Sequence, residues 1–149
     1  MMNIGSVNLL LADDDDDDCM FFKEALEELP LNSSLKTVKN GEQLMDLLTT
    51  KLVTLPDILF LDINMPRKTG VECLSEIKRN EKLKQLPVII YSTSLNHEVV
   101  DLLYEKGAHW YIRKPGDFKK LKKIILEALT NTVENNLQRP SKEKFVIQV

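Results

Sequence analysis

The chain has 149 residues, 43% hydrophobic and 29% charged. That is the balance of a folded domain with one core, not of a disordered or membrane-embedded chain. A net charge of −3 leaves no basic footprint for nucleic acid, and no apolar run reads as a secretion signal or bilayer span.

Residues 1–6 read as a lead-in to a first strand at 7–12, which runs straight into six aspartates at 13–18. A first helix is predicted to begin among the later aspartates, with Cys19, Phe22, Leu26 and Leu29 turned inward at spacings of three and four. Asp16, Asp17 and Asp18 then fall in its first turn, where negative charge suits the helix dipole. That accounts for three acids and leaves Asp13 and Asp14 unexplained. Residues 30–34 read as a loop and 35–38 as a short second strand. Asn40-Gly41 opens a second helix that should bury Leu44, Leu47 and Leu48, followed by a long connection over 49–55.

Residues 58–61 are apolar throughout, the pattern of a strand buried on both faces, and Asp62 follows directly. After a loop at 64–69, a third helix should place Val71, Leu74 and Ile77 on one face. Residues 78–85 form a charged link to a fourth strand that ends at Ser92. Asn96 reads as the cap of a fourth helix that stops at Gly107. A fifth strand over 109–113 ends at Lys114-Pro115. Asp117 caps a fifth helix with Phe118, Leu121, Ile125 and Leu129 inward, and with Lys119, Lys120, Lys122 and Lys123 as either a solvated face or a docking surface for an acidic partner. Residues 1–134 are read as one domain and 135–149 as a tail. Its last five residues are β-type, either a frayed end or a strand added to this or another subunit. Cys19 and Cys73 show no metal-ligand spacing, which fits a reduced, cytoplasmic setting.

Alternating strands and helices predict an α/β fold, a doubly wound five-stranded parallel sheet in the order 2-1-3-4-5 with five flanking helices. Right-handed crossovers bring every strand end to one edge. Asp13, Asp14, Asp62, Ser92 and Lys114 would therefore converge there. A carboxylate is ionised at neutral pH and can attack phosphorus, but neighbouring acids would repel the incoming anion unless a cation intervened. Mg²⁺, hard and oxygen-seeking, suits such a site.

In these residues the chain resembles a bacterial response-regulator receiver domain, the phosphoryl-accepting module of two-component signalling. The resemblance rests on Asp13-Asp14, Asp62 in Leu-Asp-Ile-Asn-Met-Pro, Gly70, Ser92 and Lys114-Pro115, and it spans residues 7–130. Met-Pro-Arg-Lys-Thr-Gly, Tyr-Ser-Thr-Ser-Leu-Asn and the tail make it similar to the small single-domain regulators associated with bacteriophytochromes. The resemblance implies that Asp62 accepts a phosphoryl group from a phosphohistidine on a sensor histidine kinase, of phytochrome type by the finer likeness. Asp14 and Asp62 would ligate Mg²⁺ directly, Asp13 through water, and Asn64 through its backbone carbonyl. Within the aspartate run, Asp14 and Asp15 could exchange roles. Ser92 and Lys114 would bind phosphoryl oxygens, and a cis Lys114–Pro115 bond is expected. Tyr111 is either a switch aromatic or an amphipathic edge residue. Output would pass to a downstream protein partner, with a homodimer through the face of helix four, strand five and helix five. Neither His97 nor His109 matches a relay position.

The principal alternative is an aspartate-based phosphohydrolase of haloacid-dehalogenase type, its Asp-x-Asp drawn from residues 13–16, with Ser92 and Lys114 as phosphate binders. It leaves Asp62 without a task. A flavodoxin-like flavin binder would want hydroxyls and glycine in the first loop, where six carboxylates stand.

Overall fold

The computed structural model describes residues 5–51, 54–135 and 138–148. In chain order the elements are β1 (Ser6–Ala12), α1 (Asp16–Glu27), β2 (Asn32–Val38), α2 (Gly41–Asp46), β3 (Ile58–Leu61), α3 (Gly70–Arg79), β4 (Val88–Ser92), α4 (His97–Glu105), β5 (Trp110–Arg113), α5 (Phe118–Glu134) and β6 (Val146–Ile147). The sheet is parallel, in the order β2-β1-β3-β4-β5-β6. The expected order of the first five strands holds, and the tail adds a sixth that the five-strand reading did not include.

Each inner strand sends alternate residues to opposite faces. Leu10, Leu59 and Ile90 meet α2, α3 and α4 on one side. Leu11, Phe60 and Tyr91 meet α1 and α5 on the other. All four residues of β3 are buried. Phe22 from α1 sets its ring edge-on to Phe60 and Tyr91, with centroids 4.9 and 5.3 Å away. β2 begins at Asn32, earlier than the expected 35, because it lies on the sheet edge and alternates polar and half-buried residues. Its hydrophobic signal is therefore short, although its backbone pairing is not. Leu47 is half-buried where α2 widens into a π-helical turn. The long connection expected at 49–55 lies partly outside the described residues.

Side-chain caps set where the helices start. Asp15 accepts from the Asp18 N–H at α1, Asn96 from Glu98 and Val99 at α4, and Asp117 from Lys119 and Lys120 at α5. Thr69 and Glu72 cap α3 reciprocally. Gly70, the first residue of α3, allows a close approach, because a Cβ there would stand 2.2 Å from the Asp62 carbonyl oxygen. No described peptide bond is cis. The Lys114–Pro115 bond is therefore trans, contrary to expectation and in keeping with a trans preference of about 0.5–1 kcal/mol for such bonds. No described helix is long and apolar enough to cross a membrane.

The tail is anchored by chemistry as well as by pairing. Arg139 stacks on the Tyr104 ring at 4.1 Å and donates to the Ala108 carbonyl at 3.0 Å and to the Tyr104 carbonyl. Tyr104 returns a hydrogen bond to the Pro140 carbonyl at 2.8 Å. Phe145 is fully buried between Tyr104 and Tyr111, with centroids 5.1 and 6.1 Å away, and its carbonyl accepts the Tyr111 N–H. Deleting a buried phenylalanine ring costs about 3–5 kcal/mol, but a tail can undock without unfolding the rest. Phe145→Ala is therefore expected to speed amide exchange at Tyr111, Val146 and Ile147 while β1 and β3 keep wild-type protection, as read by exchange mass spectrometry.

Candidate functional site

Strand register builds the site. Ala12 pairs with Leu61, so Asp13 and Asp62 leave neighbouring central strands at the same level. The Asp62 N–H donates to the Ala12 carbonyl at 2.9 Å and the Asp13 N–H to the Val38 carbonyl at 3.0 Å, so both backbones continue the ladder. Ser92 pairs with Arg113, and the next residue, Lys114, donates its N–H to the Ser92 carbonyl at 2.7 Å. This is the carboxyl edge, where open α/β sheets place their ligand sites.

Ligand-capable carboxylate oxygens of Asp13, Asp14 and Asp62 lie within 4.8 Å of one another. Asp13 is fully buried and Asp62 is 6% exposed, while Asp14 faces solvent. Asp15 caps α1, and within the aspartate run it is Asp14 that groups with Asp13 and Asp62. Asp13 Oδ1 accepts the Asp15 N–H at 3.0 Å, and the Asn64 backbone N–H hydrogen-bonds the Asp62 carboxylate.

One ammonium faces these acids. Lys114 Nζ lies 2.8 Å from Asp13 Oδ2, 2.8 Å from Asp18 Oδ2 and 3.7 Å from Asp62 Oδ2. It also stands 5.2 Å from the centre of the Tyr91 ring. Burial alone would lower the Lys114 pKa, but the carboxylates of Asp13 and Asp18, each 2.8 Å away, outweigh it and hold the group above the usual lysine range. Asp62 moves the other way from an ordinary carboxylate. Burial pushes it up to about 7, with Lys114 opposing and Asp13 adding to the rise.

Asp18 is the residue that sequence reasoning missed. It had been accounted for by the helix dipole, yet its side chain reaches the site. Asp18 lies in the first turn of α1, three residues after the Asp15 cap, and nothing in its local sequence sets it apart from Asp16 and Asp17.

Ser92 is fully buried at the end of β4, where its Oγ accepts the Ser94 N–H at 3.1 Å. Tyr111 is also fully buried, and its hydroxyl donates to the Ser94 carbonyl. It is not an edge residue, since β6 covers its strand. His97 is exposed on α4, and His109 is buried at the other end of β5, where its Nδ1 accepts the Val88 N–H. Neither belongs to the cluster.

The donors suit a hard divalent cation. They are all oxygen, they outnumber the local positive charge, and Asp13 Oδ2 has an ionic contact with Lys114 but no aligned hydrogen-bond donor. The phosphohydrolase alternative gains nothing from this arrangement, because Asp62 sits within the cluster that it would leave idle.

The response regulator receiver domain family matches residues 9–126. The probable methanogenesis regulatory protein FilR2 of Methanothrix harundinacea is 30% identical over 122 residues, which covers 80% of this chain and 79% of that protein. Response regulator Rcp1 of Synechocystis sp. is 40% identical over 70 residues, about half of each chain (47% and 48%). The Mn²⁺-bound crystal form of Rcp1 superposes with a TM-score of 0.76 at 28% identity, covering 91% of this chain and 99% of that one. The phosphorylated cyanobacterial phytochrome response regulator RcpA superposes with a TM-score of 0.78 at 28% identity, covering 92% of this chain and 100% of that one.

Removing the ammonium leaves buried carboxylates without their partner, a loss that costs about 3–5 kcal/mol in comparable buried pairs. Lys114→Met should lower stability by about that amount in urea unfolding with chelator present, and saturating Mg²⁺ should restore part of it.

Proposed function

Because the chain belongs to the response regulator receiver domain family, we propose that it is a phosphorylation switch with Asp62 as the acceptor. The observation that carries this reading is the Asp62 carboxylate, set beside Asp13 and Asp14 and 3.7 Å from the Lys114 ammonium at the sheet edge. An Asp62 oxygen attacks the phosphorus of a phosphohistidine. The P–N bond breaks, the imidazole leaves with its electron pair, and an acyl phosphate remains on Asp62. Such transfer asks mainly for positioning and charge neutralisation.

Asp14 and Asp62 would hold Mg²⁺ directly, with Asp13 through water and Asn64 through its backbone carbonyl. When bound, the ion neutralises charge between the carboxylates and the incoming phosphoryl oxygens. The Mn²⁺-bound form of Rcp1 supports a divalent cation at such a site. Lys114 supplies a point positive charge to one phosphoryl oxygen, and the Ser92 hydroxyl donates to another. The phosphorylated state of RcpA supports an acceptor role within this fold.

The donor in this reading is a sensor histidine kinase of phytochrome type, in keeping with the likeness to RcpA, and the site is cytoplasmic. The protein passes its state to a downstream protein partner instead of turning over a substrate. Tyr111 connects the Ser92–Ser94 loop to Phe145, so a shift of Ser92 toward the phosphoryl group would reach β6 as well as α4. Because β6 covers the edge of β5, a homodimer on this side would use α4, α5 and β6.

Asp62→Asn keeps the size of the side chain and removes its charge. After incubation with acetyl phosphate and Mg²⁺, the wild type should gain one phosphoryl mass and the variant none. Full labelling of the variant, or undiminished labelling of the wild type in excess chelator, would show the assignment to be wrong.

A further inference from the structure

Lys114 has three N–H donors, and both of its short contacts are to carboxylates, Asp13 and Asp18, each at 2.8 Å. We propose that Asp18 is a positioning residue, the counter-ion that Lys114 releases when a phosphoryl group arrives on Asp62. This rests on the acceptor reading of Asp62.

The two carboxylates differ in what release would cost them. Asp13 is fully buried, so losing the ammonium would leave its charge desolvated and without its close partner. The Asp18 side chain is 34% exposed, so it can exchange Lys114 for solvent. It also lies in the first turn of α1, whose dipole favours a negative charge with or without a counter-ion. The Asp18 backbone N–H is held by Asp15, so release needs only a side-chain rotation. A phosphoryl group carries roughly −1.5 to −2 charges and three acceptor oxygens, more than the single carboxylate it displaces. Before it arrives, Asp18 competes for the same ammonium. Asp18 therefore weakens the site's affinity for a phosphoryl group without touching that group. It stands apart from the three carboxylates grouped for a cation, so the metal should not sense its removal as the loss of a ligand.

The test uses beryllofluoride as the phosphoryl mimic, titrated with Mg²⁺ into the full chain. Asp18→Asn should bind beryllofluoride about tenfold more tightly, and its Mg²⁺ affinity should change by less than about twofold. Asp17→Asn is the charge control. Asp17 is exposed on the same turn, so the substitution removes the same formal charge away from Lys114, and it should move either affinity by less than about twofold. Asp18→Glu keeps the carboxylate and should return binding to within about threefold of wild type, while Asp18→Ala should repeat the gain. Equal or weaker binding by both Asp18→Asn and Asp18→Ala overturns the proposal, as does an equal gain in Asp17→Asn. A wild type that binds no beryllofluoride in Mg²⁺ overturns this proposal together with the acceptor reading. A wild type that binds, beside indifferent Asp18 variants, overturns the positioning role alone.

Discussion

A single ammonium shared among buried acids is the constraint on which this molecule is organised. Lys114 is 9% exposed, and opposite it stand Asp13, wholly buried, and Asp62, nearly so. Charges removed from water need partners at short range, because the desolvation they suffer is repaid only by close, well-aligned contacts. The parallel register supplies those contacts. β1, β3 and β5 end at the same edge, so residues separated by tens of positions in sequence arrive within ångströms of one another. The arrangement is still unbalanced, with more carboxylates than cations, and Asp13 adds to a rise in the Asp62 pKa that burial chiefly causes. A stable core would not require such a cluster. It stands at the open carboxyl edge of the sheet, where α/β folds place their ligand sites.

The scaffold around the cluster leaves the backbone little freedom. Thr69 and Glu72 fix the start of α3, and Gly70 lets that start lie against the Asp62 carbonyl, where no larger residue would fit. The loop between β3 and α3 includes Arg67 at φ 70°, a left-handed conformation that costs an ordinary residue about 1–2 kcal/mol. Strain of this kind persists only where the surroundings hold it in place, and it is common near functional sites. Asp62 is thus held by a strand before it and a capped helix after it.

Much of this was legible in the residues. Asp62 stands out because it follows a wholly apolar strand, and Lys114 because it ends another, so the crossover rule alone brings them together. What stayed hidden did so for physical reasons. The contact of Asp18 with Lys114 was masked because an acid in the first turn of a helix already has a sufficient local explanation. The early start of β2 was masked because an edge strand needs no continuous apolar run. Residues 145–149 carry strand propensity, but which edge Val146 and Ile147 join depends on where α5 delivers the chain and on the Arg139–Tyr104 stack.

The direction of β6 has a consequence for anything joined behind it. Helices of this sheet run back against the strands, so a chain that stopped at the end of α5 would finish at the edge remote from Asp62. β6 runs parallel to β5 and carries the backbone up again, to a recess of about 350 Å³ that Gln148 lines together with Leu95, Arg113 and Pro115. These residues adjoin the loops that follow Ser92 and Lys114. A fluorophore, affinity handle or second protein fused behind Gln148 would therefore emerge beside the carboxyl edge that holds Asp62, within reach of whatever docks there. An attachment ahead of β1 would emerge at the opposite end of the sheet.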